Sequence, residues 1–158
     1  MRVYLPVAPT ELTGRPLAPR TAYAVTPALA RALPEEDAEG HEASAYLAAC
    51  DAAVELAGEG GRRVVVAADV TAADVTAADL PLDPGAHPGE VNITAPVPWR
   101  DVASIHADEP AAAPDVRAAA GGDAEALERA AERDLLWYDP SERADLADEL
   151  GIDAGGAA

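Results

Sequence analysis

A chain of 158 residues with a single cysteine and a formal net charge of −18 has room for one domain with a real core. It cannot build an internal disulfide framework or a CxxC metal site, and it repels nucleic acid and anionic membrane. Its 29 acidic residues face 11 basic ones, all of them Arg, so the surface favours solubility, cations or basic partners.

There is no Phe and aromatic content is 4%, so the core must be built from Val, Leu, Ala and a few Tyr and Trp. Alanine buries little area, at roughly 25 cal/mol per Å² of apolar surface, which predicts modest stability or support from a partner chain. The opening Met1 to Pro6 lacks the apolar stretch of a signal peptide. No apolar run approaches the roughly 20 residues that span a bilayer, so a cytoplasmic protein is expected.

Arg2 to Val7 reads as a first strand, followed by an irregular connection broken by Gly14 and Pro16. Thr21 to Thr26 is a second strand, with Ala22, Ala24 and Thr26 on one face and Tyr23 and Val25 on the other. Thr26-Pro27 is a helix start, threonine as N-cap and proline at the first helical position. A longer helix is predicted over Glu42 to Ala57, with Ala43, Tyr46, Leu47, Cys50, Ala53, Val54 and Ala57 as its apolar stripe and Gly58 as its stop.

Arg62 to Val70 is the most strand-like stretch. It is short and β-branched, and nothing polar alternates between Val64 and Ala68, so both faces should be covered. The helix before it permits parallel pairing of the second and third strands. Val70-Thr-Ala-Ala-Asp74 is then repeated as Val75-Thr-Ala-Ala-Asp79, too short a duplication for a solenoid. Leu80 to Gly89 reads as a loop. Val91 to Val97 alternates as a half-buried strand whose Pro96 suggests a sheet edge, and Val102 to Ala107 is expected to be the last strand.

Pro110 to Gly122 reads as loosely ordered, with one turn near Asp115 to Ala119. Asp123 should cap a helix from Ala124 to about Trp137, with Leu127, Ala131, Leu135 and Tyr138 on its apolar face and a Glu125–Arg129 pair outside. Asp139-Pro140-Ser141-Glu142 is a complete start signal for a final helix ending at Gly151. The fold class predicted is α/β: a single domain over residues 1–151, a mixed sheet of about five strands with packed helices, two C-terminal helices, and a flexible tail at 152–158.

The segments RTAYAVTP (Arg20 to Pro27), RRVVVAADV (Arg62 to Val70), DVASIHADE (Asp101 to Glu109) and LLWY (Leu135 to Tyr138) together resemble a family of small acidic actinobacterial proteins of unassigned function. The resemblance spans most of the chain. It implies the single-domain reading and a bacterial cytoplasmic setting, and carries over no site residues.

Thr26, Asp69, His106, Asp108 and Glu109 fall at or near predicted strand ends. In an open parallel sheet they would gather on one rim, where ligands bind and where carboxylates could hold Mg²⁺. Each also has a plainer use, as helix cap, turn cap or exposed strand residue. Ser104, His106 and Asp108 are too widely spaced for a catalytic triad, because alternate residues of one strand stand about 6.6–7 Å apart.

Asp69, Asp74, Asp79 and Asp83 lack the ligand order of an EF-hand, and Gly58 to Gly61 lies after a helix rather than before one, so it cradles no phosphate. Cys50 on the apolar stripe reads as a buried, inert thiol. Trp99 and Trp137 are either core anchors or the aromatic centre of a contact surface. The leading expectation is a non-enzymatic, acidic binding or regulatory module that meets a protein partner or a second copy of itself and needs no cofactor. The alternative is a small enzyme or ligand binder using the carboxylate–histidine rim.

Overall fold

The computed structural model describes residues 1–77 and 85–152. Among them seven strands form one sheet: β1 (Arg2–Val7), β2 (Arg20–Tyr23), β3 (Val64–Asp69), β4 (Val75–Ala77), β5 (Glu90–Ile93), β6 (Val102–Ala107) and β7 (Leu136–Tyr138). Their order is β4-β5-β2-β1-β3-β6-β7, and every neighbouring pair is antiparallel. Five α-helices accompany them: α1 (Pro27–Ala32), α2 (Ala38–Ala53), α3 (Ala113–Ala120), α4 (Ala124–Ala131) and α5 (Arg143–Glu149).

The α/β class and the doubly covered central strand agree with the sequence. Val64, Val65, Val66, Ala67 and Ala68 are at most 1% exposed. Val64, Val66 and Ala68 join the main core, with Val3, Leu5, Val7, Ile105 and, from α5, Leu146 and Ala147. Val65 faces the other layer, against Ala49, Cys50 and Ala53 of α2. The α3/α4 pair packs beside the end of α2 through Val54, Ala57, Val116, Ala119, Ala126 and Ala130.

The sheet differs from expectation in two ways. It has seven strands rather than about five, and it is antiparallel rather than mixed. β2 and β3 do run in the same direction, but β1 lies between them and pairs antiparallel with both. A helical crossover restricts the direction of the next strand, not which strand lies beside it. Likewise β5 is interior, between β4 and β2, and Pro96 lies beyond its end.

The two extra strands are three residues each and lie where the local sequence pattern predicts no strand. β4 is the first three residues of the second copy of the repeated pentad, whose first copy instead forms a 3₁₀ turn with Thr71 Oγ1 donating to Asp74 Oδ2 at 2.9 Å. β7 comes from residues assigned to a helix. That helix, α4, stops at Ala131, buries Ala126 and Ala130 instead of the Leu127 stripe, and pairs Arg129 with Asp115 rather than with Glu125.

Pro110 to Gly122, read as loose, holds a 3₁₀ turn and α3. Gly61 explains their close docking. Its φ is +65°, and a Cβ there would sit 2.7 Å from the Ala113 carbonyl oxygen. The start signals hold: Thr26 accepts from the Leu29 amide at 3.0 Å, and Asp139 with Glu142 forms the capping box before α5. Residues 78–84, including Asp79, Asp83 and the first half of the expected loop, lie outside the described residues, as do 153–158. Ile152 packs half-buried against the main core.

Candidate binding groove

The predicted rim does not assemble. An antiparallel sheet sends the ends of neighbouring strands to opposite edges, and the residues beyond β3 and β6 divide accordingly. Asp69 ends β3 and is salt-bridged to Arg2, paired with it in register, at 2.9 Å. Thr26 lies beyond β2, occupied as the cap of α1 and donating to the Pro88 carbonyl at 2.6 Å. Asp108 and Glu109 follow β6 at the other end of β3.

Asp108 is fully buried and bound to Arg63, itself 1% exposed. Arg63 donates to it through Nε at 2.8 Å, Nη2 at 2.9 Å and its own backbone N–H at 2.8 Å. Arg63 Nη2 also donates to the Ala130 carbonyl at 2.9 Å, while Arg62 Nε donates to the Asp108 carbonyl at 2.8 Å. This clamp ties the start of β3 to the end of β6 and to α4, and it leaves Asp108 with no ligand to bind. Glu109 pairs with Arg133 at 3.2 Å.

What the fold brings together lies elsewhere, on the sheet face that α2 covers incompletely. An open groove of about 520 Å³ crosses β1, β3, β6 and β7 beside α2. Its floor holds Tyr4, Ala67, Ser104 and His106; Glu42 and Tyr46 line it from α2; Asp134, Leu135 and Trp137 line it from the chain entering β7. The middle of the floor is small: Ala67 pairs with Ser104, and neither fills the space below the helix. A β-bulge sits here, since Ala68 pairs with Val102 and Ala103 is left over. The bulge turns Val102 into the main core and leaves Ser104 and His106 on the groove side.

Ser104 Oγ lies 2.9 Å from His106 Nε2. The roughly 6.6–7 Å between alternate strand residues does not prevent this contact, because that is a distance along the backbone and the imidazole reaches back along the strand. The third member of a triad is still missing, since Asp108 is held by Arg63. Burial lowers the His106 pKa from its ordinary value and favours the neutral ring. Tyr46 meets that ring edge-on at 5.1 Å, and Tyr4 packs edge-on against Tyr46 at 5.8 Å. The Tyr4 hydroxyl donates to Glu42 Oε2 at 2.6 Å, and burial together with this carboxylate pushes its pKa up to about 12.

The two tryptophans part company. Trp99 is half-buried against the core, donates Nε1–H to the Arg15 carbonyl at 2.8 Å, and lies 4.3 Å beneath the Arg143 guanidinium. Trp137 is 61% exposed on β7, an edge strand, next to Leu136 at 44%. Cys50 is 3% exposed, as expected, and burial raises its thiol to about 11. Sequence reasoning missed Tyr4, Glu42, Tyr46, Ser104 and Asp134 as a group. Its available signals were the i,i+4 pair Glu42/Tyr46 and the i,i+2 pair Ser104/His106, which are common patterns in isolation.

Among the described residues no group of three or more His, Cys, Asp or Glu could hold a metal ion, and no helix is long and apolar enough to cross a membrane. The model of a family described as "Family of unknown function (DUF6912)" matches residues 1–147. No curated protein and no solved structure matches the chain.

Proposed function

We propose, for a chain that belongs to the family of unknown function DUF6912, a non-enzymatic role as an acidic module that binds a protein partner through β7 and the groove beside it. The observation that carries this reading is Trp137. A tryptophan 61% exposed on an edge strand, beside a groove lined by tyrosines, loses apolar contact with water only when another surface covers it. The outer backbone groups of an edge strand are a template for a further strand. The acidic chain favours a basic partner. A second copy is disfavoured as occupant because two chains of net charge −18 repel.

The test is a photo-crosslinking amino acid placed at Trp137, with Leu47 as control, since Leu47 is 53% exposed on α2 and outside the groove. A discrete adduct from position 137, absent from position 47 and lost when Asp134 is replaced by Arg, is the expected result. Equal adducts from both positions would defeat the reading.

A second reading, a small enzyme or ligand binder, is supported by the Ser104–His106 contact alone. A hydroxyl beside a neutral imidazole can donate to it and be activated. Against this reading stand the missing third group and the engagement of Asp108 and Asp69 by arginines.

A further inference from the structure

The groove beside Trp137 has charges that its own residues do not balance. Arg2, on its lining, is engaged by Asp69 through Nε at 2.9 Å and Nη2 at 3.1 Å. Glu42 and Asp134 take part in no salt bridge among the described residues. The Tyr4 hydroxyl takes one Glu42 oxygen and supplies no charge. Two carboxylates therefore border a cleft whose remaining surface is Ser104, the Asp69-bound Arg2, and tyrosine, histidine, tryptophan, leucine and alanine side chains.

An apolar occupant would cover these carboxylates and leave them unpaired, at a cost. An acidic occupant would be repelled. A long cationic side chain fits both features, with its aliphatic stem against the rings and its charge at the acids. Arginine fits better than lysine, because a planar guanidinium stacks on aromatic faces and meets a carboxylate through two parallel hydrogen bonds.

The strand geometry supplies the delivery. Trp137 pairs in register with His106 and shares its face, whereas Tyr138 packs against the main core on the other face. A segment added outside β7 would lie about 4.8 Å beyond it and send every second side chain to the Trp137 face. Resting on the protein-partner reading above, we infer that the groove receives an arginine side chain from a basic, extended segment of the partner laid along β7. Trp137 flanks that side chain and Asp134, beside β7, binds its guanidinium, while Glu42, held by Tyr4 over β1, adds its negative charge from across the groove.

The test uses N-acetyl-arginine amide and its neutral isostere N-acetyl-citrulline amide as probes. Each is titrated into the parent protein and followed by the ring and indole NMR signals of Tyr4, Tyr46 and Trp137. The arginine compound is expected to give a saturating shift in all three, with at least tenfold weaker binding for citrulline. At least tenfold weakening is also expected for the Glu42→Gln/Asp134→Asn variant. Asp134→Asn alone, at an exposed position, guards against a folding defect and should weaken binding several-fold with the rest of the spectrum unchanged.

Equal binding of citrulline, or unchanged binding in Asp134→Asn and in the double variant, overturns the inference. The two readings fail separately. Partner segments that need Trp137 but carry no arginine would end this inference and keep the protein-partner role. Arginine binding without a position-specific adduct from residue 137 would end the protein-partner role and leave only a site for the arginine side chain.

Discussion

Asp108 and Trp137 show how a residue's environment decides its use. Asp108 has the composition of a ligand and the position of a structural ion. With no exposure and three hydrogen bonds from Arg63, its carboxylate is held by one cation and one backbone N–H. Removing one partner of a buried pair leaves the other charge uncompensated, which costs about 3–5 kcal/mol. Asp108→Ala should therefore lower unfolding free energy by about that much in urea titration. Arg63→Met combined with Asp108→Asn should cost less than the single change, because no lone charge remains and the amide oxygen can still accept from the backbone of residue 63. A loss under about 1 kcal/mol in Asp108→Ala would show that the pair is not structural.

At the scale of elements, α2 is the instructive case. The sequence predicts a helix here, and its existence holds, but it begins earlier, at Ala38 behind an Asp37 cap, and its buried face is rotated. Ala45, Ala49, Cys50 and Ala53 face the sheet, while Leu47 is 53% exposed. Small residues let the helix approach the sheet closely, so Leu47, the largest aliphatic side chain of the predicted stripe, points away. Ala49→Leu should destabilise by about 1–3 kcal/mol through overpacking, and Leu47→Gln should stay within about 0.5 kcal/mol, both read as thermal unfolding midpoints. The reverse ranking would mean the helix face is misassigned.

Local signals of this kind were legible in the sequence: the caps at Thr26 and Asp139, β1, the valine run of β3 and β6. Pairing was not. The insertion of β1 between β2 and β3 depends on contacts far apart in the chain, and Leu136-Trp137-Tyr138 continues a helical pattern until strand pairing with β6 overrides it. The groove was illegible for the same reason, since its lining comes from four strands and α2.

For the whole molecule, the net charge of −18 is the property that any binding must work with. Asp69 and Asp108, the acids that a cation rim would need, sit at opposite ends of β3, each already bound to an arginine. Mg²⁺ and NaCl at matched ionic strength should therefore raise the melting temperature equally, by screening alone. A gain specific to Mg²⁺ and lost in Asp69→Asn would favour the ligand-binding alternative, since a cation bound at 100 times its Kd adds roughly 2.7 kcal/mol.

The same acidity, set around an exposed Trp137, leads to the central claim that β7 and its groove receive a basic protein segment. The most direct measurement is selection of a random peptide library displayed on phage against the immobilised protein, with each selected peptide rebound to Trp137→Ala. The account predicts peptides enriched in arginine at alternate positions, whose affinity falls at least tenfold on Trp137→Ala and with rising salt. Failure to enrich any sequence, or peptides that bind Trp137→Ala as tightly as the parent, would contradict it.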